Sequence, residues 1–451
     1  MLVLLLLMFA SLVTTLVHAQ SWDFSLLKHR SGVPGPTLLV IGGIQGDEPG
    51  GFNAAALLAT EYKIKRGEVW VVPNLNFESI IKRSRGVHGD MNRKFKNIKH
   101  ADPEYQTVQK IKDIIRDKQV DIILNLHDGS GFYVPEYIDR ERNPERWGQS
   151  LIIDQDKVED MRFGQLGTIA RYITQQANQR IDNAAHYYYV KNTQTRLGNQ
   201  EMEKTLTYYA IQNGKSAFGI EASKSFDTPD RAFYHLNMVE SFMRFLGIDY
   251  ERSFELEVAD VEKRINDNIR LALYDNRMLF DMRNVRKQLR YVPIQKDGPI
   301  RFSASNPLIA VLDNKHSYHV HYGNRSVTQL LPQYFQFDSS LREVGMIIDG
   351  QQKAIPLGDI VYVQRSFLVQ PLDDYRVNVI GYTRSGYKSE DGVLISREQI
   401  RDEYSVDQQA NLYRVEIYRA DKFCGMILVN FTSQPVARLQ SPDKQYSQQT
   451  M

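Results

Sequence analysis

Four short apolar runs, each suited to a strand buried on both faces, restrict this chain more than any other feature. They lie at residues 37–41 (TLLVI), 68–73 (EVWVVP), 121–126 (DIILNL) and 217–220 (AFGI). None shows the strict alternation of a strand with one wet face. Helical patterns separate or follow them, at 52–62, 105–117, 158–180 and 231–246. In the second of these, Val108, Ile111, Ile114 and Ile115 share one face. Strands alternating with helices imply an α/β domain with a mixed, mostly parallel sheet flanked by helices. This domain is expected to span residues 20–250.

Past residue 250 the pattern changes to short β-type runs broken by turn signals. Lys296-Asp297-Gly298, Asp349-Gly350 and Arg384-Ser385-Gly386 are examples of the breaks. A chain of 451 residues is also too long for one ordinary core. Two small all-β domains are therefore expected: a β-rich middle domain at 251–341 and an Ig-like β-sandwich at 342–440. The polar residues 441–451 read as a flexible tail.

The chain opens on an apolar run that reaches Val17 and closes in Val17-His18-Ala19. That is short of the roughly 20 residues a membrane span needs, and it ends in a small-residue cleavage pattern. Residues 1–19 are thus expected to be a signal peptide, with no membrane span after its removal. The 56 Lys and Arg residues nearly balance 54 Asp and Glu, which argues against a nucleic-acid partner. Cys424 is the only cysteine, so no internal disulfide can form, and its apolar surroundings suggest a buried strand.

The chemistry gathers where the strands end. The first run leads into Gly42-Gly43-Ile44-Gln45-Gly46-Asp47-Glu48, the third into His127 and the fourth into Glu221. Ligand sites in open α/β sheets sit at the carboxyl ends of strands. Gln45 and Glu48 stand three residues apart, a spacing at which two side chains can meet one ion. A catalytic zinc needs three protein ligands, an open position for water and a nearby carboxylate base. Gln45, Glu48 and His127 are candidate ligands for one such ion, with Glu221 as the carboxylate. Between these groups lies a basic loop, residues 82–96, containing Arg85, Asn92 and Arg93. Guanidinium groups pair with carboxylates in a bidentate way, so this loop suits an acidic substrate.

The ordered set Gln45-x-x-Glu48, Arg85, Asn92-Arg93, His127 and Glu221 resembles the zinc carboxypeptidases of the carboxypeptidase A superfamily. Those enzymes carry His-x-x-Glu, so Gln45 is a departure from their pattern. With the leader and the trailing β domains, it is similar to one branch: periplasmic peptidoglycan DL-carboxypeptidases that determine helical cell shape. The resemblance implies a periplasmic enzyme with one Zn2+ per chain. It also implies a tripeptide stem as substrate, trimmed of its terminal meso-diaminopimelate to a dipeptide. It makes Glu221 the general base, Arg85 the group that polarises the scissile carbonyl, and Asn92 and Arg93 the clasp for a terminal carboxylate. Thr207 and Tyr208 are candidates for the mobile residue that such enzymes bring over substrate, with Tyr209 the alternative tyrosine, and Trp147 for a pocket wall. The β domains are candidate contacts for the wall or for shape-complex proteins. Two alternatives stay open. The glycine-rich run is also similar to N-acyl amino acid deacylases of the aspartoacylase and succinylglutamate desuccinylase type, and a vestigial site would leave a non-catalytic wall-binding scaffold.

Overall fold

The structure is a computed structural model. It describes residues 23–267 and 269–432, and the backbone of strand Tyr446–Gln449. The expected signal peptide at 1–19 lies outside the described residues.

The first domain is built, among the described residues, on eleven strands and seven α-helices. The strands are β1 (Leu27–Arg30), β2 (Thr37–Ile41), β3 (Tyr62–Ile64), β4 (Glu68–Val72), β5 (Ile122–Gly129), β6 (Phe132–Tyr133), β7 (Arg142–Asn143), β8 (Ser150–Ile153), β9 (Tyr189–Asn192), β10 (Ser216–Ser223) and β11 (Tyr250–Arg252), the last paired antiparallel with β3. The helices are α1 (Pro49–Glu61), α2 (Phe77–Ile81), α3 (Tyr105–Arg116), α4 (Leu166–Asn178), α5 (Leu206–Gln212), α6 (Thr228–Leu246) and α7 (Val258–Asp267). Seven strands form one sheet in the order β1-β4-β2-β5-β10-β8-β9. Neighbours β4, β2, β5 and β10 run parallel, as do β8 and β9, while β1 and β8 run antiparallel to β4 and β10. Both faces of the central strands are covered, so β2 and β5 are buried along their whole length.

Three expectations are corrected. Helix α4 begins at Leu166 rather than near 158, because Val158 N–H bonds to Gly164 O and closes the preceding segment into a loop. Strands β5 and β10 do not stop at His127 and Glu221. They pair in parallel as far as Asp128 with Ala222 and Gly129 with Ser223, so both candidate residues lie inside strands. The tail expected to be flexible contributes Tyr446–Gln449, paired antiparallel with Arg301–Ala304.

Helix α1 starts at Pro49, where a missing N–H costs nothing, and Glu48 is its N-cap residue. Glu48 makes no capping hydrogen bond, which leaves its carboxylate free to turn elsewhere. Helix α6 ends at Gly247, whose φ of 66° is the left-handed C-cap that glycine favours. Buried in α6, Glu240 is the hub of a charge network. It accepts from Tyr62 Oη (2.9 Å), Arg180 Nη1 (3.0 Å) and Arg252 Nε (3.1 Å). Glu240→Ala should lower stability by about 2 kcal/mol, since it strands a buried hydroxyl while the arginines can turn to water. A melting temperature equal to wild type would contradict that role.

The middle domain stacks two four-stranded sheets and shares a continuous apolar core with the first. Gly323 packs against the Phe52 ring, and Asn74 Nδ2 donates to Pro307 O at 3.2 Å. Helix α7, read from sequence as part of the middle domain, packs on α6 and α1. The C-terminal unit has two further four-stranded sheets around a separate core that includes Met346, Phe367, Val415 and Ile427. Cys424 is buried in that core, on strand Lys422–Asn430.

Candidate active site

Parallel pairing sets Glu221 directly beside His127. The β2–α1 turn brings Gln45 and Glu48 onto the same ring. His127 Nδ1 is 3.1 Å from Gln45 Oε1 and 2.9 Å from Glu48 Oε2, and all three residues are buried. Burial opposes protonation of the imidazole, but the hydrogen bond and charge of Glu48 raise its pKa above the usual value. In this arrangement one proton on Nδ1 is shared between two oxygen acceptors. A cation in its place would meet one nitrogen and two oxygens, a borderline donor set that fits zinc. Among the described residues no group of three His, Cys, Asp or Glu forms a metal cluster, because the third donor here is an amide.

The turn holds its shape through a close backbone approach. Gly46 N–H donates to Ser84 O at 3.0 Å. A Cβ on Gly46 would lie 2.0 Å from the Ser79 carbonyl carbon, which is backbone and cannot move aside cheaply. Gly46→Ala should therefore displace Gln45 and cost about 1–3 kcal/mol of stability. Normal metal content with normal melting in that variant would show that the approach does not position Gln45.

Around the ligand set lies a ring of charge. Asp90 accepts from Gln45 Nε2 (2.8 Å) and from Arg85 Nε (3.1 Å), tying the ligand loop to the basic loop. Arg85 is half exposed, and its Nη1 is 3.4 Å from Glu48 Oε1. Lys224 Nζ lies 3.2 Å from Asp47 Oδ2 and 3.7 Å from Glu48 Oε1. Next to His127, buried Asp128 accepts from Gly50 N and Arg231 Nη1 and lies 3.0 Å from His235 Nε2. Burial works against its charge, but these partners hold the Asp128 carboxyl below its usual pKa. Burial pushes the Glu221 carboxyl up to about 8, with Glu48 and Asp128 adding to the rise and His127 and Lys224 opposing it.

The structure places Asn92 with its Nδ2 3.4 Å from His127 Nε2, while its Oδ1 accepts from Leu206 N at 3.0 Å. Arg93 follows, half-buried, with Nε 3.5 Å from Glu201 Oε2. Thr207 is buried, its hydroxyl 3.2 Å from Thr205 Oγ1. Tyr208 is half-buried and donates its backbone N–H to the Thr205 cap at 3.3 Å. Tyr209 packs its ring against Phe95. Trp147 sits beside the end of β5, its backbone N–H donating to Ser130 O at 3.1 Å and its ring beneath the Lys191 ammonium. Sequence reasoning missed Asp90, Lys224, Asp128 and Lys191. Three of them stand within three residues of a group it had singled out, which is the signal that could have found them.

A family described as carboxypeptidase controlling helical cell shape, catalytic, matches residues 3–266. A second, the C-terminal domain of metallo-carboxypeptidase, matches residues 337–432. A search of the curated proteins finds no match. Among solved structures, the apo cell shape determinant protein Csd4 from Helicobacter pylori is 38% identical at a TM-score of 0.83, with 91% of this chain and 100% of that one covered. The tripeptide-bound form of Csd4 gives 38% identity, a TM-score of 0.83 and coverage of 91% and 100%. An mDAP-bound form of Csd4, a D,L-carboxypeptidase, is 39% identical at a TM-score of 0.82, with 88% and 97% covered. With the catalytic match spanning more than half its length, this chain belongs to the metallo-carboxypeptidases that control helical cell shape.

Proposed function

We propose that this chain is a zinc-dependent D,L-carboxypeptidase of the cell wall, which removes terminal meso-diaminopimelate from tripeptide stems and leaves dipeptides. The observation that carries the reading is the pairing of Glu221 with His127, whose ring meets Gln45 and Glu48. The tripeptide-bound and mDAP-bound forms of Csd4 support the choice of substrate. The leader-like residues 1–19 support export to the periplasm, where such stems lie. None of the described helices is long and apolar enough to cross a membrane. The two β domains are surfaces for contacts with the wall or with other shape proteins.

Gln45 Oε1, one oxygen of Glu48 and His127 Nδ1 would hold a single zinc ion. When bound, zinc supplies a Lewis acid that acidifies water and polarises a carbonyl oxygen. The amide of Gln45 is a weaker donor than imidazole, so the ion is held less tightly than in a site with two His ligands. Asn92 and Arg93 grip the free α-carboxylate of the last residue, which restricts cleavage to a chain end. Glu221 takes a proton from the attacking water and passes it to the leaving amine. Arg85, on the rim beside Glu48, meets the negative charge that develops on the carbonyl oxygen.

The test is to strip the protein with chelator, restore zinc to half of it, and incubate both halves with muramyl tripeptide. Free diaminopimelate should appear only with the zinc-restored protein. Equal release from both halves would overturn zinc dependence. Hydrolysis of N-acyl amino acids in place of the tripeptide would turn the assignment to a deacylase.

A further inference from the structure

Lys191 takes no part in the mechanism above, yet it lies on the same face of the sheet as the base. In β9 it pairs with Ile152 of β8, which in turn pairs with Gly219 of β10, two residues before Glu221. Paired residues point to one face, and residues two apart on a strand share it. Lys191, Ile152, Gly219 and Glu221 therefore line one surface, and Gly219 leaves it without a side chain.

The ammonium of Lys191 is held in a particular way. It lies 4.3 Å from the centroid of the Tyr133 ring and 4.8 Å from that of Trp147. It donates to Pro144 O at 2.6 Å and to Arg146 O at 2.9 Å. An ammonium has three N–H groups, so one is left over. Among the described residues no carboxylate stands within ion-pair distance of it. The side chain is half-buried, and burial lowers its pKa while the charge of Glu221 acts in the opposite direction. A partly dehydrated cation fixed by two rings and two carbonyls, with a spare donor and no carboxylate in direct contact, is built to receive an anion.

We propose that Lys191, walled by Tyr133 and Trp147, forms a second carboxylate-binding subsite that reads a substrate carboxylate other than the one held by Asn92 and Arg93. The inference rests on the tripeptide-stem reading. That stem offers two such groups: the α-carboxylate of D-Glu, beside the cleaved γ-amide, and the distal carboxylate of diaminopimelate. Both present the same chemistry to the ammonium.

Three substrates separate the possibilities, assayed with full-length zinc-loaded protein. The first is the native tripeptide. The second has the D-Glu α-carboxylate amidated, and the third ends in L-lysine in place of diaminopimelate. In the wild type, one replacement should raise KM by about 10- to 100-fold, the worth of a charge-assisted contact, and its identity names the carboxylate that is read. Lys191→Met should raise KM for the native tripeptide to a similar extent and erase the penalty for that analogue. Lys191→Arg, which keeps the charge, should retain part of the penalty. Penalties unchanged in Lys191→Met would overturn the subsite, as would no penalty in the wild type. An equal rise in KM for all three substrates would also overturn it, reducing Lys191 to a support for Trp147. Failure of the wild type to cleave any stem would overturn the substrate reading and the subsite with it.

Discussion

Glu221→Gln should lower kcat on the tripeptide by about 10²–10⁴, the usual worth of general acid–base help, with zinc content and melting temperature close to wild type. Glutamine keeps the size and the hydrogen-bonding reach of the side chain but cannot take up a proton. The neighbouring charges explain why this position is suited to the task. Burial and the negative charges of Glu48 and Asp128 push the carboxyl up to about 8, toward the protonated form. A zinc cation at Gln45, Glu48 and His127 would pull it back down and restore a carboxylate at neutral pH. The position would then have a proton affinity in the range that a base at neutral pH needs. A variant whose kcat stays within a few-fold of wild type would remove Glu221 from the role of base.

Arg93→Ala should reduce kcat/KM for the tripeptide by about 10²–10³, because a bound carboxylate would be left without its charged partner once substrate covers the site. Before substrate arrives, Arg93 leans on Glu201, whose own side chain is largely exposed, so the variant should fold normally. The loss should fall on binding and catalysis together, since a misplaced chain end also misplaces the scissile bond. Unchanged kcat/KM, with normal melting, would show that the terminal carboxylate is held elsewhere.

Much of the fold and the meeting of the candidate ligands was legible in the sequence, for a definite physical reason. The central strands are buried on both faces, so 37–41, 68–73 and 121–126 appear as runs dominated by apolar residues, and polar residues where such runs stop are easy to recognise. Gln45, Glu48, His127 and Glu221 were singled out as candidates in that way, and in the structure His127 meets Gln45 and Glu48 and pairs with Glu221. The edge of the sheet gave no such signal. β8 contributes only the four residues Ser150–Ile153, and β9 reads Tyr-Val-Lys-Asn, half wet and without an apolar run. Missing those strands meant missing Lys191. Asp90 and Lys224 were passed over because charged loop residues look like solvated surface until their partners are known. Thr207 was singled out from its place in the sequence alone, and its buried hydroxyl lies 3.2 Å from Thr205 Oγ1.

A direct comparison of muramyl tri-, tetra- and pentapeptides under one condition, with products identified by mass, tests the central claim. The longer stems block the carboxylate of the diamino acid as an amide, so Asn92 and Arg93 have nothing charged to hold there. Zinc-loaded protein should convert the tripeptide to dipeptide and free diaminopimelate, and leave the tetra- and pentapeptides largely intact. Equal cleavage of all three stems would contradict the account.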